Sequence, residues 1–169
     1  MSATLQRDQA IALAKTNPKK ALDKAREVSE PWFRAQALSW VARLIHTDPV
    51  SVARQASKAA AECDDDYKRS AVRSWEIAAL AEREFTSEAK KALNEALKVA
   101  RTAQPISSRS EALFLRFQAA FAMSESEAAK VNAILTEVCP ADEHWRCKRS
   151  IRDAAKMING DLHPRKFFC

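Results

Sequence analysis

Apolar and polar positions recur along this chain at spacings of three and four, the pattern of helices that each bury one face. Its punctuation marks where helices begin. Asn17-Pro18, Glu30-Pro31 and Asp48-Pro49 each set a proline at a first helical position, where the missing N–H costs nothing. Ser124-Glu125-Ser126-Glu127 reads as a capping box, with the Glu127 carboxylate returning to the backbone of the cap. Asp64-Asp65-Asp66 suits a helix N-terminus better than a metal, because the macrodipole favours acids there. Asn159-Gly160 supplies a left-handed C-terminal stop. These signals predict helices over 3–15, 18–28, 31–45, 49–62, 66–83, 87–102, 107–122, 124–138 and 142–158, joined by short turns that make neighbours antiparallel.

The pattern also repeats. Trp32-Phe33-Arg34-Ala35-Gln36-Ala37-Leu38-Ser39-Trp40 falls on Tyr67-Lys68-Arg69-Ser70-Ala71-Val72-Arg73-Ser74-Trp75 at a shift of about 35 residues, a period of stacked repeats. Weaker echoes follow at Arg109-Ser110-Glu111-Ala112-Leu113 and around Trp145. An alanine-rich helix precedes each of these, with stripes such as Ala53, Ala56 and Ala60 or Ala89, Ala92, Ala96 and Ala100. The second helix of each hairpin carries the larger side chains. Trp32 with Trp40, and Tyr67 with Trp75, sit close to two turns apart and so on one side. The stretch from Ala112 to Ala122 is apolar nearly all round, broken by Arg116 and Gln118, and belongs in the middle of a stack. The fold predicted is all-α: a solenoid of about four α/α-hairpin pairs, about nine helices, in a right-handed stack. Residues 1–160 form one domain and 161–169 a tail outside the repeats, free to fray, to cap the last repeat through Phe167 and Phe168, or to dock into a partner.

Asp142-Glu143-His144-Trp145-Arg146-Cys147-Lys148-Arg149-Ser150, followed by Ala154-Ala155, resembles the second-helix pattern of HEAT repeats, and Asp66-Tyr67-Lys68-Arg69-Ser70-Ala71 is a looser version. The paired-helix length is also similar to that of tetratricopeptide repeats, although their first-helix glycine is absent. The resemblance covers about residues 17–158. It implies a concave face used mostly for protein recognition and, in the HEAT-like DNA alkylation-repair family, for nucleic acid. It transfers no catalytic residue.

Composition narrows the function further. Gly160 is the single glycine, so neither a dinucleotide fingerprint, a Walker loop nor a serine nucleophile elbow can be assembled. His46, His144 and His163 resolve into no triad, and His46 suits the C-terminal end of a helix. No enzyme activity, catalytic residue or cofactor is expected. No apolar run reaches the length of a membrane span, and the N-terminus lacks the order of a secretory signal, so a cytoplasmic protein without a membrane partner is expected. Cys139 and Cys147 flank a turn and invite a disulfide, and with His144 they make a weak alternative as zinc ligands; the default expectation is reduced thiols and no metal.

The residues with most to say about binding are the arginines. Arg34, Arg69 and Arg109 hold one place near the start of successive second helices, Arg149 or Arg146 holds it in the last, and Arg73, Arg116 and Arg152 lie further along. In a stack they form a ladder, which either grips an anionic ligand or ties repeats together through acids such as Asp23, Glu62, Glu95 and Glu137. The structural role is the favoured one. The 28 Lys and Arg exceed the 22 acids, giving +6, without a dense basic run. The tryptophans are expected in the core. The expected partner is a protein or peptide in the concave face, with nucleic acid on the arginine ladder as the alternative; exposed terminal repeats would allow a homodimer.

Overall fold

The computed structural model describes residues 1–169, and all of its regular secondary structure is helical. Its elements are α1 (Ala3–Ala14), α2 (Pro18–Arg26), α3 (Pro31–Leu44), α4 (Pro49–Ala61), α5 (Asp66–Ala71), α6 (Arg73–Glu82), α7 (Thr86–Ala100), α8 (Ile106–Phe121), α9 (Glu125–Val138) and α10 (Trp145–Ile158). No helix is long and apolar enough to cross a membrane.

The starts follow the local chemistry of the sequence. Side chains of Asn17, Asp48, Asp65 and Ser124 accept from the amides of Lys20, Ser51, Lys68 and Glu127 at 3.1, 3.1, 2.7 and 3.1 Å. Each removes one of the donors that a helix N-terminus leaves unpaired. The acids Asp64 and Asp66 pair with Lys68 and Arg69, so the aspartate run is a helix start. Two details differ from expectation. Glu127 does not close the capping box; its carboxylate accepts from Lys130 at 2.8 Å and also meets Lys90 of α7 at 3.3 Å. His46 lies exposed beyond the end of α3, and that end is satisfied by Arg83, the residue just past α6, whose Nη1 donates to the carbonyls of Ala42, Arg43 and Ile45.

The helix expected over 66–83 is broken at Val72. Both halves remain right-handed there, but Trp75 N–H reaches the Val72 carbonyl at 3.2 Å, a tightened turn. The freed Ala71 carbonyl accepts from Arg116 of α8 at 3.4 Å. An inserted side chain is an ordinary cause of a helix break.

The helices form two layers. In the first, α1, α3, α5–α6, α8 and α10 succeed one another in contact; α2, α4, α7 and α9 rest over the notches between them. In the large-residue layer α1, α3 and α8 each pack most extensively on the alanine-rich helix that follows, as the broken pair α5–α6 does on α7, with α3 on α4 and α8 on α9 foremost. The tightest hairpins therefore begin with the large-residue helix and not with the alanine-rich one, and α10 is left as the single end helix. Buried Ala21 and Ala25 of α2, Ala53, Ala56 and Ala60 of α4, and Ala89, Ala92 and Ala96 of α7 let the layers approach closely.

Candidate functional site

The arginine ladder exists, and most of it is spent inside the fold. Arg34, Arg69 and Arg109 each donate to the carbonyl six residues earlier, Val28, Cys63 and Ala103, at 3.1, 2.8 and 3.1 Å. Each guanidinium thus clamps the turn that precedes its helix, using the planar fork that a lysine lacks. The remaining donors of Arg34 meet Glu62, those of Arg69 meet Asp66, and those of Arg109 reach the Val138 carbonyl at 3.1 Å. Arg73 holds Glu76 at 2.9 Å and Glu95 at 3.1 Å. Burial works to lower the Arg73 pKa, but its hydrogen bonds and attraction to the two glutamates outweigh that and raise it. Arg116 is fully enclosed, donates to Ser74 Oγ and the Ala71 carbonyl, and leaves Nε and Nη2 without partners. Burial, then repulsion from Arg73, pushes its pKa down to about 9 against the pull of Glu76, so it still carries charge at neutral pH. Arg149 engages Glu111, and Arg152 pairs with neighbouring Asp153 on the outer face of α10.

The face that does hold a segment of chain is the outside of the first layer. The C-terminal tail crosses it, running from α8 over α6 to α3. Arg165 N–H donates to Gln118 Oε1 of α8 at 2.9 Å. Phe167, 9% exposed, sets its ring edge to Trp75 of α6 at 5.3 Å between centroids, and Phe168 does the same to Trp40 of α3 at 5.1 Å. Edge-to-face pairs of this kind are the favoured aromatic geometry. Three cations frame the rings: Arg165 over Trp75 at 5.3 Å, Arg43 over Phe168 at 5.0 Å and Lys15 over Trp40 at 5.2 Å. A cavity of about 370 Å3 beside the tail, lined in part by Ala78, Gln118 and Phe121, leaves room along the same track. The tail is therefore docked, on the middle of the stack and not on its last repeat.

Three tryptophans of the four belong to this packed surface or the core beneath it. Trp145 does not: it is 60% exposed at the start of α10, beneath the guanidinium groups of Arg146 and Arg149. With Lys148, Arg152 and Lys156 exposed on the same helix, α10 presents a basic outer face.

Cys139 and Cys147 are both free thiols, fully buried and beside one another. Burial, together with Cys147, pushes the Cys139 thiol up to about 12. His144 does not join them. Its Nδ1 accepts from Arg146 N–H at 3.1 Å and caps α10, and no group of three metal-ligating side chains converges anywhere in the fold. Cys139, His144 and Cys147 are therefore not gathered into one ligand set.

Comparisons with protein-family models, with curated proteins and with solved structures find no significant match. The aromatic spacing predicts Trp32 with Trp40, and Tyr67 with Trp75, on one side of each helix, whereas Gln118 and Arg43 carry no expected role. The available signals were Gln118 as a polar interruption of an apolar helix and the Arg43 side chain three residues after Trp40.

Proposed function

We propose that this protein is a helical-repeat adaptor, HEAT-like or tetratricopeptide-like in construction, that captures an extended aromatic peptide across its large-residue layer and does no catalysis. The observation that carries this reading is the chain's own tail, held there by a side chain that reads its backbone and two tryptophans that receive its phenylalanines. A groove with one backbone acceptor and spaced aromatic seats suits any segment that repeats that spacing. The tail is tethered, so it competes at an effective concentration on the order of millimolar.

The test uses a labelled peptide of residues 161–169 and the double variant Phe167→Ala, Phe168→Ala. The variant, checked for helical content, is expected to bind the peptide in trans at least about tenfold more tightly than the intact chain does, because its own tail no longer occupies the seats. No binding to a folded variant would reduce the tail to core packing.

A second reading, nucleic-acid binding, is supported by the outer face of α10, where exposed Trp145 stands among Arg146, Lys148, Arg149, Arg152 and Lys156. Anisotropy of labelled oligonucleotides at two salt concentrations tests it: affinity that falls steeply with salt supports phosphate contacts, and absence of binding at low salt removes the reading.

A further inference from the structure

At the edge where α4 gives way to α5, a cleft of about 370 Å3 opens between the first turn of α3 and the first turn of α5. Its apolar wall is built by Pro31, Trp32 and Tyr67, and the two rings are stacked at 6.2 Å with 19° between their planes. Trp32 is further braced edge-on by Trp75 at 6.0 Å, so the wall is fixed before anything binds. Around it stand three carboxylates, Glu30, Glu62 and Asp64, against one ammonium, Lys68. Lys68 is already held by Asp64 at 2.8 Å, and Glu62 is engaged by Arg34. Glu30 is uncommitted: it occupies the N-cap position of α3, yet its side chain makes no cap hydrogen bond. The cleft thus has spare negative charge beside π-faces, on a chain whose net charge is +6.

Aromatic faces attract cations through their quadrupole, and an alkylated cation also buries its methyl or methylene groups against them. A carboxylate at the rim adds attraction that a neutral ligand of the same shape cannot use. An anion would be repelled.

We propose that this cleft binds an organic cation of the alkylammonium or guanidinium class, its apolar part against Trp32 and Tyr67 and its charge toward Glu30. The cation is either a free small molecule or the Lys or Arg side chain of a partner. The ligand contacts of this site, Trp32, Tyr67 and Glu30, are not those of the tail groove at Trp40 and Gln118, although Trp75 braces Trp32 and also receives Phe167.

Three probes decide the matter: choline, a glycine-flanked pentapeptide with one central arginine, and 3,3-dimethylbutanol as a neutral analogue of choline. Indole N–H signals of the intact protein are followed by NMR, the Trp32 signal being assigned with Trp32→Phe. At least one cation is expected to shift the Trp32 signal saturably, while the alcohol binds about tenfold more weakly or not at all. Glu30→Gln, which keeps the backbone N-cap of α3 and changes only an exposed side chain that makes no cap hydrogen bond, is expected to weaken the cation about threefold or more. Preference for choline points to a free ligand, and preference for the peptide to a partner side chain. Binding of the alcohol as tight as that of the better cation, no saturable shift with either cation, or an unaltered affinity in Glu30→Gln would each overturn the proposal. Loss of peptide capture in the tail experiment would leave it untouched.

Discussion

Glu127 is 6% exposed and holds its place by charge, since Lys130 and Lys90 converge on one of its oxygens at 2.8 and 3.3 Å. The hydrogen bond from Lys130 is the largest influence on its pKa, and with that from Lys90 it overcomes burial and sets the carboxyl below its ordinary value. A folded-state pKa below the unfolded value of about 4.3 means that the unfolded chain takes up the proton first. The stability from this contact is therefore present above that value and lost as pH falls through the lower, folded one. Both lysines are at least half exposed, which keeps the effect small. Glu127→Gln is expected to lower stability by about 0.5–1 kcal/mol at pH 7, and the difference should close by about pH 3. Urea midpoints of both proteins at the two pH values check this; an equal gap at both would mean that the carboxylate charge contributes nothing.

At the scale of the element, the end of α6 is stopped by an unusual residue. Glu84 has φ of 62°, in the left-handed region, while Phe85 N–H returns to the Leu80 carbonyl at 3.0 Å. Gly160 does the same for α10 at φ 82°, with Asp161 N–H on the Lys156 carbonyl at 2.8 Å. Glycine adopts that conformation without the Cβ clash that a glutamate meets. Glu84→Gly is expected to stabilise the protein by about 0.5–1 kcal/mol, read as a higher thermal midpoint. A lower midpoint would show that the Glu84 side chain contributes more than its backbone costs. The contrast between these two stops explains what was legible in advance. Signals that act within a few residues, such as Asn17-Pro18, Asp65, Ser124 and Gly160, locate nearly every helix boundary. Features set by distant partners left no local mark: the break at Val72 meets Arg116 from α8, and the carbonyls at the end of α3 meet Arg83 from the C-cap of α6. The ladder of Arg34, Arg69 and Arg109 was visible as a recurrence, and its role followed once each guanidinium met a carbonyl of its own preceding turn.

Across the whole molecule, stability in a stacked array is expected to pass only between neighbouring repeats. The tail is an exception, because it joins α8 at Gln118, α6 at Trp75 and α3 at Trp40. Nothing in the last residues announces this: Phe167 and Phe168 are adjacent, without the spacing of a helix face, and their seats lie about 90 to 130 residues earlier in the chain. Once docked, the two rings cover tryptophans that would otherwise form an exposed apolar patch. Replacing both by alanine removes that burial and is expected to cost about 2–4 kcal/mol, less than two fully enclosed phenylalanines would because Phe168 stays partly exposed. Amide exchange should then accelerate in α3 and α6, beneath the lost cover, while α9, which the tail does not touch, keeps its protection relative to global unfolding. If exchange rises only within residues 163–169 and the urea midpoint stays where it was, the array is indifferent to its tail. In that case an external peptide would find the seats at Trp40 and Trp75 open at no structural cost, and occupancy by the tail would act as competition alone.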